Sequence, residues 1–231
     1  MSVNKEWDKI AEERLLDRMS GNDASYNKIF LPLIKNYLKD REDLKILDFG
    51  CGTGELTYEI SKMGFETLGL DISAHSIVLA NEYFKSDNLK FHCSTLDKLD
   101  FQEHFSLVIA NMVLMDAKEL NENLFLLNQC LKADGSLLVM ITHPCFWPIY
   151  WDYYADPDFN YFHETKIVRT YKNKNRIFEG FETTHFHRPI GFYLKAFINN
   201  HFEITDVKEL RNKTDKEWYP RFIYFELKKQ S

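Results

Sequence analysis

The sequence predicts an α/β protein built on a mostly parallel, seven-stranded sheet with helices on both faces and an antiparallel last strand. Three observations carry that prediction. Short apolar runs alternate with stretches of helical periodicity, the pattern of strands joined by crossover helices. The runs are nearly continuous rather than alternately polar, so both faces of the sheet are covered. The first run ends in glycines that open directly into a helix, a strand-to-helix turn of parallel sheets.

Residues 1–43 read as a helical cap. Trp7, Ile10, Ala11, Leu15 and Met19 recur near a 3.6-residue period, and Ser20-Gly21-Asn22-Asp23 breaks the run. A second helix over 24–38 carries Ile29, Phe30, Leu33, Ile34 and Tyr37 on one side, with Pro32 marking a start or a kink. Residues 44–143 form the ligand-binding core, with strands at 45–49, 66–70, 89–93, 105–111 and 136–142. Its helices span 55–63, 74–84 with Ser73 as N-cap, and 117–131, where Leu120, Leu124, Leu127 and Leu131 share a face. Asp134-Gly135 is a turn. Residues 144–188 break the rhythm with thirteen aromatic side chains, and a hairpin there pairs 165–171 with 176–187 around Asn173-Lys174-Asn175. A helix at 190–200 and strands at 202–210 and 218–227 close the chain. No linker, repeat or low-complexity segment interrupts it, so residues 1–231 read as one domain with an aromatic-rich insertion.

The net charge of −6 argues against a nucleic-acid partner held by counterion release. No apolar run reaches the about 18 residues of a membrane span, so no membrane partner is expected. The charged start lacks the apolar core of a signal peptide. Cys51, Cys93, Cys130 and Cys145 have no metal-ligand spacing, and free thiols suit the cytoplasm. No metal is expected, and the oligomeric state is not legible.

The chemistry concentrates at Asp48-Phe49-Gly50-Cys51-Gly52-Thr53-Gly54. Glycines after a strand let the backbone turn tightly and let a ligand lie against it. A dinucleotide fingerprint needs a third glycine where Glu55 stands, and a glutamate there repels a pyrophosphate, which disfavours an NAD(P) oxidoreductase. The spacing of Gly50, Gly52 and Gly54 suits a ligand without a phosphate. Asp48 at the strand tip can accept hydrogen bonds from a cationic amine or from waters. Asp71, at the end of the second strand, can hold both ribose hydroxyls of a nucleoside.

Together these residues resemble the class I S-adenosylmethionine-dependent methyltransferases, whose fold is Rossmann-like. The resemblance covers roughly residues 44–143 and extends to the segment Asn111-Met112-Val113-Leu114-Met115 and to Leu131-Lys132-Ala133-Asp134-Gly135. It implies S-adenosyl-L-methionine as cofactor. Gly50, Gly52 and Gly54 then contact its methionine part, Asp71 with the adjoining Ile72 its ribose, and Asn111 and Met112 lie beside the sulfonium. Many members bind the adenine amino group through an acid after the third strand. Here Ser94, Thr95 and Leu96 stand there, with Asp97 as a substitute if the loop is displaced. In related enzymes a tyrosine of the N-terminal helices closes over the cofactor, which makes Tyr26 a candidate.

The motif that base methyltransferases carry after strand four is absent, and the insertion sits at the carboxyl edge of the sheet, where ligands bind. These features favour methyl transfer to oxygen or nitrogen of a small, apolar or aromatic molecule. The alternatives are a protein or tRNA methyltransferase and a non-catalytic partner with the same fold. The chain is also similar to a branch of small-molecule methyltransferases with His-Pro after strand five and His-Arg-Pro before the last helix. His143-Pro144 and His187-Arg188-Pro189 fit those elements. His143 is expected to face the transferring methyl group and take a proton. His187, or His185 on the same strand face, is the second candidate, and Arg188 is a candidate for holding a substrate carboxylate.

Overall fold

A computed structural model describes residues 3–42, 44–173, 176–211 and 218–230. Helix α1 spans Val3–Met19. A π turn over Tyr26–Phe30 then leads into α2, Leu31–Leu38. Pro32 falls in the first turn of α2, where its missing N–H costs no helix bond. Met19, expected on the apolar stripe, is exposed because α1 ends there and the chain turns at Gly21.

The core alternates as expected. Strand β1 is Lys45–Phe49, β2 Glu66–Asp71, β3 Leu89–Cys93, β4 Phe105–Asn111 and β5 Leu131–Thr142. Between them lie α3, Glu55–Ser61, α4, Ala74–Tyr83, and α5, Leu120–Cys130. Ser73 caps α4, its Oγ accepting from the Ser76 N–H at 3.1 Å. A short α6, Trp147–Tyr150, starts the insertion. Helix α7 is Ile190–Asn199, followed by β8, Phe202–Leu210, and β9, Phe222–Lys229. The seven-stranded sheet runs β3-β2-β1-β4-β5-β9-β8, with β9 antiparallel to both neighbours.

Adjacent residues of each inner strand feed opposite cores, as a two-residue repeat requires. Leu47, Val108, Val139 and Phe225 face α5 and α7. Ile46, Ile109, Met140 and Tyr224 face α2 and α3. Complete burial of each such side chain contributes roughly 1.5–3 kcal/mol, which holds the strand tips in place. Strand β5 starts earlier than its apolar run. Pairing jumps from Phe105↔Leu131 to Leu107↔Ser136, so the intervening residues bulge out around Asp134, whose φ is 60°.

The insertion ends in a separate hairpin of β6, Thr165–Lys172, and β7, Ile177–His187. Of its expected turn, Asn173 is described, while Lys174 and Asn175 lie outside the described residues. Strand β7 folds back on the carboxyl edge of the sheet: the Phe186 N–H donates to the Met115 carbonyl at 2.8 Å. It also clasps α1, with Glu6 accepting from the Thr184 N–H at 2.8 Å and from its hydroxyl at 3.0 Å. On the other side of α1, Asp8 accepts from Ser73 Oγ at 2.7 Å and from the His75 N–H at 3.0 Å. The helix is thereby strapped across the sheet's carboxyl edge, between hairpin and core.

Candidate active site

The glycine loop is built by backbone geometry. Gly50, Gly52 and Gly54 have φ of 73°, 54° and 88°, a region that L side chains rarely adopt. A Cβ on Gly50 would lie 2.4 Å from Val113 Cγ2, so the loop packs directly on the segment after β4. At Gly52 no atom lies within 4 Å of that position, so its backbone is open to the cavity above. Asp71 locks the loop: one carboxylate oxygen accepts the Gly52 N–H and the other the Ser73 N–H, both at 2.8 Å. Those bonds orient the carboxylate and leave further lone pairs for a diol.

A cavity of about 410 Å³ lies over this loop. Asp48, Gly50, Gly52, Asp71, Ile72, Ser94, Thr95, Leu96, Asn111 and Met112 all line it, and so does Asp97. Gly54 does not; its Cβ position is blocked by Phe91 at 2.7 Å, so it packs α3 onto the sheet. Asp48 is buried and accepts from Thr57 Oγ1 at 2.7 Å. Burial pushes its carboxyl up to about 7. Two buried polar atoms here, Asn111 Oδ1 and Thr95 Oγ1, have no hydrogen-bond partner among the described residues. An open glycine backbone, an oriented carboxylate at the β2 tip and orphaned oxygens fit a nucleoside-bearing cofactor with an amino-acid tail.

The roof comes from α1, which the sequence reading assigned only to packing. Trp7, Ala11, Arg14 and Arg18 reach the cavity at successive helical turns. Their spacing was the available signal, hidden because the arginines flank the apolar stripe. Tyr26 does not line the cavity: its ring lies under the Arg18 guanidinium at 4.7 Å, so the arginine stands where the tyrosine was expected. Arg18 pairs with Glu55 at 3.1 Å. Glu55 is buried, does not line the cavity and has its charge matched, so it repels nothing there.

The histidines are redistributed. His143 lines neither this cavity nor the smaller one beside it. Its Nδ1 accepts the Cys145 N–H at 3.2 Å, so Nε2 carries the proton and donates to Glu209 at 3.0 Å. The tight turn at Pro144 aims the imidazole at β8 rather than at the crevice. His187 is likewise committed, with Nε2 donating to the Tyr161 carbonyl at 3.0 Å and Nδ1 against the Tyr153 hydroxyl at 3.4 Å. Burial lowers the pKa of both imidazoles. Arg188 donates through its two terminal nitrogens to the carbonyls of Leu114, Ala117 and Lys118 and to Glu164, so it braces the segment after β4.

The imidazole that does face a cavity is His185. The smaller cavity, about 80 Å³, shares Trp7, Arg14, Arg18, Met112 and Asp116 with the larger. Asp116 Oδ1 lies 3.7 Å from His185 Nδ1, within ion-pair range but longer than a hydrogen bond. Burial raises the Asp116 carboxyl and the facing His185 opposes that rise. Trp147, Tyr150, Trp151 and Tyr171 wall this space, and the Trp151 ring meets His185 edge-on at 5.8 Å. Asp116 had no sequence signal; it meets His185 only because β7 crosses the segment after β4.

Comparison with known proteins matches this geometry. Residues 40–180 match the methyltransferase-domain family, and the chain belongs to it. It is an S-adenosyl-L-methionine-dependent methyltransferase, and the cavity over the glycine loop fits that cofactor. The chain is 26% identical to a malonyl-[acyl-carrier protein] O-methyltransferase of Bacillus cereus, over 87% of this chain and 78% of the relative. It is 27% identical to a ubiquinone biosynthesis O-methyltransferase of Rickettsia bellii, over 58% of this chain but only 55% of the relative. The fold is shared, at a TM-score of 0.61 and 12% identity, with 1,6-didemethyltoxoflavin-N1-methyltransferase of Burkholderia thailandensis, solved with 1,6-didemethyltoxoflavin and S-adenosylhomocysteine. That match covers 100% of this chain and 92% of the other. Among the described residues no helix is long and apolar enough to cross a membrane, and no cluster of three His, Cys, Asp or Glu is placed to hold a metal ion.

Proposed function

We propose that this protein transfers a methyl group to an oxygen or nitrogen of a small aromatic molecule seated in the smaller cavity, with His185 taking the acceptor's proton. The observation that carries the reading is the junction of the two cavities at Met112 and Asp116, with His185 facing it from the insertion. The cofactor supplies an electrophilic methyl on a sulfonium. The chain supplies everything else. The glycine loop and Asp71 hold the donor's methionine and ribose parts, with Asp48 beside the amino end. Ser94, Thr95 and Leu96 flank the adenine. The aromatic walls orient the acceptor and exclude water, which places nucleophile and donor in line. Asp116, on the Nδ1 side of His185, favours a proton there and leaves Nε2 as acceptor. The four free cysteines and the lack of a membrane-crossing helix among the described residues support a cytoplasmic enzyme.

The test is methyl transfer from labelled cofactor to a panel of phenols and aromatic amines. His185→Ala should lower turnover by about 10²–10⁴-fold, the usual contribution of a general base, while leaving S-adenosylhomocysteine affinity within about twofold. A wild-type rate in that variant, or no transfer to any acceptor by a protein that binds the cofactor, overturns the reading.

A further inference from the structure

The smaller cavity holds hydrogen-bond donors that nothing in the fold uses. Arg14 is half-buried at the junction of the two cavities. Among the described residues it makes no hydrogen bond or ion pair; it packs on two aromatic rings, Trp7 at 4.9 Å and Tyr171 at 5.6 Å, and its charge also reaches the carboxylates of Asp71 and Asp116. Neighbouring cations are already paired: Arg18 with Glu55 and with Asp23 at 3.5 Å, and Lys172 with Asp152 at 3.5 Å. Among the described residues, the indole N–H groups of Trp147 and Trp151, buried in the same walls, have no hydrogen-bond partner.

An arginine cannot shed its charge, so an unpaired guanidinium in a partly desolvated site is a cost that stacking offsets only in part. The two rings are themselves 6.0 Å apart, so both crowd one side of the guanidinium and leave its other donors open. Those donors form a planar fork matched to a carboxylate. Unspent indole donors in the same walls call for acceptor oxygens as well.

We infer that the methyl acceptor is an aromatic acid whose carboxylate is bound by Arg14, with the ring packed against the tryptophan wall and the reacting hydroxyl or amine turned toward His185. This rests on the assignment of the smaller cavity to the acceptor. The cofactor's own carboxylate is the competing source of the same chemistry. Its methionine end belongs at the glycine loop, and the cation standing there is Arg18, next to Glu55. Arg14 instead packs against Tyr171 of the hairpin, on the acceptor's side.

Calorimetry on the S-adenosylhomocysteine complex, titrated with the isomeric hydroxybenzoates and aminobenzoates and with the matching benzamides, decides it. At least one acid should bind the wild-type complex about tenfold or more tightly than its amide. Arg14→Gln should erase that preference with S-adenosylhomocysteine affinity kept within about twofold, and Arg14→Lys should restore part of it. Retained cofactor binding also shows that the variants are folded. Equal or undetectable binding of every acid and its amide to the wild-type complex overturns the inference while leaving methyl transfer standing. A tenfold loss of S-adenosylhomocysteine affinity in Arg14→Gln, with any acid preference unchanged, also overturns it and assigns Arg14 to the cofactor. Failure of the wild-type protein to bind S-adenosylhomocysteine is a separate outcome, which removes the enzymatic reading and this inference with it.

Discussion

Replacing Asp48 by asparagine should stabilise the ligand-free protein above neutral pH and weaken cofactor binding at the same time. Asp48 is 1% exposed, at the tip of the central strand, with Thr57 as its hydrogen-bond donor at 2.7 Å. Burial raises its carboxyl from 3.8 to about 7. Between those values the native state binds more protons than the unfolded chain, so this group's contribution to stability falls as pH rises. Above pH 7 the ionised form costs about 4 kcal/mol. Asparagine does not ionise, and its amide oxygen can accept the Thr57 hydroxyl. The stability gap between Asp48→Asn and wild type should therefore widen by about 3 kcal/mol from pH 5 to pH 8. Urea unfolding across that range, without ligand, measures it. At pH 8 the variant should also bind S-adenosylhomocysteine about tenfold or more weakly, because a carboxylate beside the ligand's ammonium is lost. A gap that stays constant with pH refutes the buried-acid reasoning, and undiminished binding removes Asp48 from the cofactor site.

Asp71→Ala should weaken S-adenosylhomocysteine binding by about 2–3 kcal/mol, because it loses the ribose contacts and frees the N–H groups of Gly52 and Ser73. Calorimetry checks this, and unchanged affinity would place the ribose elsewhere. Gly50→Ala should destabilise the fold by about 2–4 kcal/mol, since it adds a positive-φ penalty to a 2.4 Å clash with Val113. Adding Val113→Ala should recover part of that loss in thermal unfolding. His143→Ala should leave turnover within about twofold yet lower stability by about 1–2 kcal/mol, because it deletes contacts with Glu209 and the Cys145 N–H. A rate loss as large as that of His185→Ala would return His143 to the mechanism.

The cavity over the glycine loop was legible because the residues that build it are local. Gly50, Gly52 and Asp71 act through backbone conformation and strand ends, and both follow from nearest-neighbour patterns. The smaller cavity was not. His143 follows a strand tip, and position along the chain suggested that it faced the crevice. Its side-chain direction was settled by Pro144 and by Glu209 of β8, a residue 66 positions away. His185 and His187 share a strand face, yet only His185 reaches the cavity. His187 is taken by Tyr153 and Tyr161 of the insertion's own loop.

Composition, periodicity and the glycine loop by themselves determined a mostly parallel α/β sheet and the loop over which the larger cavity opens. These depend on hydrophobic repeat and on the steric freedom of glycine, which are properties of short segments. Only the tertiary structure decided what lines the roof of the larger cavity and the walls of the smaller one. Glu6 ties α1 to Thr184, far along the chain, and that clasp brings Arg14 and Arg18 over the loop. The bond from the Phe186 N–H to the Met115 carbonyl carries His185 to Asp116. Contacts of that sequence separation leave no periodic trace, because each is made once, between segments whose local patterns report only their own helix or strand.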